Sequence, residues 1–174
     1  DAFAADGFEV LSPQLYDRIE RDFTTGYGQG DIQRALALRA RNTYDNTALD
    51  VQACVDVLAP RGKVFCAGYC YGGSVTWVAA CRCAGLAAAS GYYGGAIKDF
   101  LDEAPRCPTI LHFGEKDPGI PLSDVARIRA AHPEVEVFVY DGADHGFQSD
   151  RPTHHHPEAA RLARRRTLDL FAAA

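Results

Sequence analysis

A cysteine set between two glycines has the type and spacing of a nucleophile. Gly68-Tyr69-Cys70-Tyr71-Gly72 has the G-x-nucleophile-x-G form of the tight turn that joins a strand to a helix and presents a reactive side chain. We expect a strained backbone at Cys70, and we expect side chains two residues before and two after it to collide with neighbouring backbone. The helix that follows would point free N–H groups at the thiol and favour its thiolate form.

Two further side chains could complete a proton-transfer system. Asp117 follows the β-rich run 108–113, and His145 follows the alternating run 135–140. Each therefore lies in a loop beyond the carboxyl end of a predicted strand, which is the edge where open α/β sheets bind ligands. Nucleophile, acid, histidine is also one of the known chain orders of a catalytic triad. We predict that Cys70, Asp117 and His145 converge at this edge, with His145 between the other two.

The elements that must position these residues alternate along the chain. Strands alternating with helices at this spacing predict an α/β fold with a parallel sheet covered on both faces. We expect a single domain over residues 1–174, because this length supports one sizeable core. The predicted strands are 8–11, 62–67, 86–90, 108–113 and 135–140; the predicted helices are 31–39, 46–58, 73–81, 96–101, one capped by Ser123 that ends before Pro133, and 157–168.

The chain resembles the dienelactone hydrolase family, a branch of the α/β hydrolases with a cysteine nucleophile. The resemblance implies a three-layer sandwich with a mostly parallel central sheet. It also implies that Cys70 attacks, His145 is the base and Asp117 orients it, with no metal or organic cofactor. The family pattern begins earlier, with strands that precede residue 8, so these N-terminal strands are expected to be missing from this sequence. The matching stretches are 10–16, 68–73, 91–94, 114–117, 144–147 and the closing helix, which together cover essentially the whole chain.

The activity that the resemblance implies is cleavage of an ester or lactone bond through a thioester acyl-enzyme. The backbone N–H of Tyr71 would be one oxyanion donor, and a second donor and a regulatory glutamate are expected in the missing front segment. Known members hold a substrate carboxylate with basic residues, but the stretch 146–149 contains none. Neutral esters are therefore expected to react at least as well, unless Arg34, Arg39 or Arg151 serves as a clamp. The alternative is a catalytically silent scaffold that binds a small molecule or a protein partner.

Several residues have competing interpretations. Asp144 could replace Asp117 as the acid, although adjacent side chains do not readily bring a ring and a carboxylate together. Ser74 would be the nucleophile only if the turn were misaligned. Cys81 and Cys83 have no further ligands at zinc spacing, so we expect structural burial. The remaining open cases are His154 to His156 (expected in a solvated loop), Arg164 to Arg166 (expected to be solvated at a helix end), and Tyr92 and Tyr93 (pocket wall, or packing beneath it).

The bulk composition excludes some classes of partner. The net charge of −5 argues against nucleic acid or an anionic membrane as the main partner. No apolar run approaches the roughly 20 residues of a membrane span. The six cysteines fall mostly inside predicted elements, which is typical of buried thiols in a reducing compartment and favours the cytoplasm. We expect a monomer or homodimer that acts on a small molecule.

Overall fold

The computed structural model describes residues 2–26, 28–150 and 153–174, and its strands and helices alternate. The strands are β1 (Val64–Tyr69), β2 (Leu86–Tyr92), β3 (Thr109–Gly114) and β4 (Glu136–Tyr140). The α-helices are α1 (Ala2–Ala5), α2 (Gln29–Arg39), α3 (Tyr44–Leu58), α4 (Tyr71–Arg82), α5 (Leu122–Ala131) and α6 (Pro157–Ala173), and short 3₁₀ turns lie at Ala59–Arg61 and Ile97–Asp99. Within the described ranges, no helix is long and apolar enough to cross a membrane.

The four strands form one sheet in the order β1-β2-β3-β4, and every neighbouring pair is parallel. The register aligns Gly68 of β1 with Gly91 of β2, and Gly91 with Leu111 of β3. Because parallel strands end at the same edge, the loops after β1, β3 and β4 lie along one side of the molecule. The predicted parallel α/β sheet is confirmed, and its topology supplies the edge that the site requires.

Helices cover both faces of this sheet. α4 packs across β1 and β2, and α3 packs against α4. On the opposite face lies α6, where the Thr167 hydroxyl is 2.7 Å from the Ser90 hydroxyl of β2. Trp77, Leu111 and Phe113 are fully buried in the core. The three-layer arrangement implied by the resemblance is therefore confirmed.

Residues 8–11 were predicted as a strand, and this prediction is wrong because the segment forms no β-ladder. Phe8 instead packs its ring edge-on against Phe65 of β1 and against Phe171 of α6, with ring centroids 6.1 and 6.2 Å apart. Val10 and Leu11 are exposed. Apolar and β-branched residues favour a strand only where a neighbouring strand pairs with and covers them. Here Phe8 reaches β1 through its side chain and not through its backbone.

Two helix ends differ from their predictions. α5 begins at Leu122 after Pro121, so Ser123 lies inside the helix and makes no capping hydrogen bond. The fixed φ of proline already sets the entry into the helix, which leaves the serine no capping position. At the start of α6, the His156 side chain accepts the N–H of Ala159 at 3.3 Å. His156 is therefore a helix cap. The prediction that His154 to His156 lie in a solvated loop did not include this role.

The arginines at 164–166 lie in the middle of α6, not at its end, because the helix continues to Ala173. Arg164 forms an ion pair with Asp6. Arg166 donates to the Tyr140 hydroxyl at 3.0 Å, and its guanidinium lies 3.9 Å from the Phe138 ring centroid. The prediction that this triplet is simply solvated is thus wrong for two of its members: these arginines tie α6 to the N-terminal segment and to β4.

Candidate active site

The turn after β1 holds Cys70 with φ 55° and ψ −115°, a positive φ that residues with a Cβ rarely adopt. A Cβ on Gly68 would lie 2.1 Å from the Gly72 carbonyl oxygen, so glycine is required there. A Cβ on Gly73 would lie 2.2 Å from the Tyr92 carbonyl oxygen, where α4 crosses the end of β2. A Cβ on Gly72 would meet no atom of the described chain within 4 Å beyond its own helix. The predicted steric need for Gly72 is therefore wrong, and Gly73 has that need instead.

The thiol of Cys70 differs from the other five. All six cysteines are described; Cys70 is the exposed one, Cys81 and Cys83 are buried, and the rest are half-buried. Cys70 is also the N-cap residue of α4, next to the free N–H groups of the first turn. In contrast, burial raises the pKa of Cys66, on the strand beneath, to about 11. Of these thiols, only Cys70 combines access with an environment that favours the anion.

A continuous hydrogen-bonded chain joins the three predicted residues. His145, after β4, donates from Nδ1 to Oδ2 of Asp117 at 2.7 Å, and its Nε2 lies 3.1 Å from the Cys70 Sγ. Asp117, after β3, is 4% exposed, and its other oxygen accepts the Gly119 N–H at 2.8 Å. The buried carboxylate is thereby fixed on both sides. The predicted convergence, with His145 in the middle, is present in the structure.

The contacts in this chain shift the pKa values of the thiol and the imidazole in opposite directions. The hydrogen bond to Asp117, followed by that to Cys70, raises the pKa of His145 to about 10. Burial opposes ionisation of Cys70, but the hydrogen bond and charge of His145, the Tyr71 backbone N–H and the Arg39 guanidinium together leave its pKa lowered. Both shifts favour a thiolate beside an imidazolium over two neutral groups.

The rival residues have other partners. Asp144 accepts the backbone N–H of His145 at 2.6 Å, so it binds the loop and not the imidazole. The hydroxyl of Ser74 is buried in α4 and accepts the Ala96 N–H at 3.1 Å. Cys81 and Cys83 are buried, as expected. Across the described residues, no group of three or more His, Cys, Asp or Glu side chains could hold a metal ion.

Tyr92 and Tyr93 have different environments. Tyr92 is fully buried beneath the site, with its hydroxyl 2.6 Å from that of Thr167 on α6. Tyr93 lines the groove at the thiol, and its ring centroid is 5.0 Å from that of His145. Tyr93 therefore lines the pocket, and Tyr92 packs beneath it.

An aromatic wall stands on the α2 side of the nucleophile. The Tyr16 and Tyr71 rings have centroids 6.2 Å apart, and the Arg39 guanidinium carbon lies 5.3 Å from the Tyr71 centroid. Arg39 is half-buried and has no carboxylate partner among the described residues, whereas Arg34 is paired with Glu20. The third clamp candidate, residue 151, lies outside the described residues. Sequence reasoning missed the role of Tyr16 in this wall, although Tyr16 ends the first stretch that carries the resemblance.

A groove extends from the site along the edge of β1. It begins at Cys70, His145 and Tyr93 and continues past β1 to Phe8 in the N-terminal segment. Within the described chain, β1 has β2 as its one strand neighbour, so its other edge borders this groove. The Cys70 thiol is thus reached from an open cleft and not from an enclosed cavity.

A cysteine at a strand-to-helix turn, followed by an aspartate and a histidine after later strands of a parallel sheet, is the arrangement of the α/β-hydrolase fold. The chain belongs to the dienelactone hydrolase family, whose family model matches residues 1–174. It is therefore an enzyme of the ester- and lactone-hydrolase class.

Individual relatives agree with this placement. The chain is 29% identical over 177 residues to a carboxymethylenebutenolidase of Pseudomonas putida, covering 95% of this chain and 74% of the relative. Among solved structures, it is similar to a Klebsiella pneumoniae protein assigned to the dienelactone hydrolases, with a TM-score of 0.69, 25% identity, and 93% and 74% of the two chains covered. A dienelactone hydrolase-like promiscuous phosphotriesterase from metagenomic libraries shares the fold, with a TM-score of 0.63, 20% identity, and 83% and 66% covered.

Proposed function

We propose that this protein cleaves an ester or lactone bond by nucleophilic catalysis, with Cys70 as nucleophile, His145 as proton carrier and Asp117 as the acid that orients it. The observation that carries the proposal is the unbroken chain from Asp117 through His145 to Cys70, at 2.7 and 3.1 Å. Each group lies within hydrogen-bonding reach of the next, which is the geometric requirement for general acid–base assistance to a nucleophile.

In the first half-reaction, the Cys70 thiolate attacks the carbonyl carbon and forms a tetrahedral intermediate. We assign the oxyanion donor to the backbone N–H of Tyr71, because it is the first residue of α4 and its N–H has no partner within the helix. Collapse breaks the carbon–oxygen bond of the ester, and the leaving alkoxide takes the proton from Nε2 of His145. The products of this half are an alcohol and a thioester on Cys70.

In the second half-reaction, His145 is neutral and acts as a base. It takes a proton from water at Nε2, and the resulting hydroxide attacks the thioester carbonyl. Breaking the carbon–sulfur bond releases the carboxylic acid and restores the thiolate beside the imidazolium. Throughout, Asp117 holds the proton of Nδ1 in place and stabilises the charged ring, since its own carboxylate is fixed by the Gly119 N–H.

The test is hydrolysis of short aryl esters and unsaturated lactones by the protein and by Cys70→Ala. We expect the variant to fold normally and to lose on the order of 10⁴-fold or more in kcat. Cys107→Ala is the matched control, because Cys107 is half-buried and precedes β3, whereas Asp117 follows the opposite end of that strand, and it should retain activity. Full turnover by Cys70→Ala would exclude this thiol as the nucleophile. Absence of turnover by the wild-type protein, with ligand binding intact, would favour the silent scaffold.

A further inference from the structure

We propose that Tyr93 is a positioning residue that holds the His145 imidazole in line with the Cys70 thiol. The inference rests on the proposed function, because it concerns the same catalytic chain. Tyr93 is 4% exposed and immediately follows β2. Its ring contacts those of His145 and of Tyr92, the last residue of β2.

The backbone of Tyr93 is strained, with φ 39°, a value at which glycine would be easier to accommodate. The Tyr93 N–H donates to the His112 carbonyl of β3 at 2.7 Å, which extends the β2–β3 pairing by one residue and holds the strained conformation. Strained residues with side chains persist where surrounding contacts fix them, and they cluster at active sites. Here the strain directs a large ring toward the histidine.

That ring packs against the loop that carries the histidine. Its centroid is 5.0 Å from the His145 ring at 57°, and 5.2 Å from the Phe147 ring in an edge-to-face contact. Phe147 is fully buried, so Tyr93 connects the catalytic loop to the core.

The contact with the ring matters because the hydrogen bonds of His145 leave one motion free. Asp117 and Cys70 lie at the two nitrogens of the ring, so they fix its ends but permit it to rock about the line between them. The His145 side chain is 37% exposed, and solvent on that side cannot prevent rocking. Packing by Tyr93 removes this freedom, and small errors in the alignment of reacting groups are costly to the chemical step.

The proposal therefore expects an effect on kcat and not on substrate binding. Tyr93→Leu should lower kcat by about tenfold or more while KM changes by less than about threefold. Tyr93→Phe keeps the ring and should recover most of the loss. Tyr92→Phe is the matched control, because it removes only a hydroxyl that bonds Thr167 of α6 and keeps the ring, and its kcat should stay within about twofold of the wild type.

A second measurement does not depend on ester turnover. The rate at which iodoacetamide alkylates Cys70 at neutral pH reports how well the imidazolium stabilises the thiolate. Tyr93→Leu should lower this rate severalfold and Tyr92→Phe should not. If the wild-type protein cleaves no ester, the proposed function fails, and the alkylation rates still decide the role of Tyr93.

Circular dichroism and thermal melting identify variants that fail to fold. If Tyr93→Leu does not fold, Tyr93→Met decides, because it also removes the ring: a loss of at least about twofold in kcat or alkylation rate supports the proposal, and wild-type values overturn it. A folded Tyr93→Leu with wild-type kcat and alkylation rate overturns it as well, as does an equal loss in Tyr92→Phe.

Discussion

Nε2 of His145 and Sγ of Cys70 lie 3.1 Å apart although 75 residues separate them in the chain. The parallel sheet accounts for this proximity, since it places the ends of β1 and β4 along one edge. The same contact raises the pKa of the imidazole and lowers that of the thiol. This one contact therefore favours the thiolate and the imidazolium together, which the proposed mechanism requires.

The rate of Cys70 alkylation should depend on pH in a way that identifies this pair. Because the folded thiol has a lowered pKa, the thiolate persists to a lower pH than that of an ordinary cysteine before it is protonated. The imidazolium, with its pKa raised to about 10, is lost as pH rises through that value. We therefore expect the alkylation rate to rise at a lower pH than it does for a small-molecule thiol.

His145→Asn should shift the rise in the Cys70 alkylation rate to higher pH, because the main group that lowers the thiol pKa is removed. Mass spectrometry should find Cys70 labelled before Cys66, whose pKa is raised to about 11. A rate profile in the variant identical to that of the wild type would mean that His145 does not stabilise the thiolate.

Asp117→Asn tests the identity of the acid. The amide cannot hold the Nδ1 proton as the carboxylate does, so kcat should fall by about 10³–10⁴-fold, as for the matching change in a serine triad. Asp144→Asn is the control, since Asp144 accepts a backbone N–H of the same loop. It should cost less than about tenfold. If Asp144→Asn lowers kcat more than Asp117→Asn does, the acid is Asp144 and not Asp117.

Gly68→Ala and Gly72→Ala should differ in stability even though both glycines belong to the same motif. The new methyl at 68 would lie 2.1 Å from a backbone oxygen, and we expect a loss of about 3 kcal/mol or failure to fold. The methyl at 72 lies in open space in the first turn of α4, where alanine is favoured over glycine by up to about 1 kcal/mol. Urea denaturation measures both, and equal destabilisation would contradict the structure.

Substrate charge is the fourth test. We expect neutral esters to be cleaved at least as well as carboxylate analogues, as the absence of basic residues from 146–149 predicts. A preference of a hundredfold or more for the anion, about 2.7 kcal/mol, would reveal a clamp. Arg39, over Tyr71 and without a carboxylate partner in the described chain, is then the residue to examine. Arg39→Met should abolish such a preference, and Arg34→Met, whose arginine is paired with Glu20, should not.

The sequence was sufficient for the parts of the site that depend on chain order. A strand predictable from its apolar residues precedes each of Cys70, Asp117 and His145. The carboxyl ends of parallel strands lie at one edge of the sheet, so the approach of these residues does not depend on details of the loops. Tyr93 could not be assigned in this way, because its role depends on a local backbone φ of 39° that no periodicity encodes.

The prediction failed where the outcome depends on neighbours that are distant in sequence. Residues 8–11 have strand-like composition but no strand pairs with them. Likewise, the choice between Gly72 and Gly73 as the sterically required residue depends on where the Tyr92 carbonyl lies at the end of β2. From the sequence alone, Arg164 and Arg166 were predicted to be solvated. Their partners in α1 and β4 are distant in the chain, so the sequence could not reveal these contacts.

The position of β1 at the border of the groove has a consequence for hydrogen exchange. In a parallel ladder, the backbone groups of a strand point alternately to its two sides, so only part of the β1 amides bond to β2. The remaining β1 amides face the groove and should exchange with deuterium early, whereas β2 and β3, which have a strand on each side, should exchange late. Cys70 therefore follows an edge strand of the described sheet, as His145 follows β4, and deuterium uptake in β1 tests how firmly the strand before Cys70 is held.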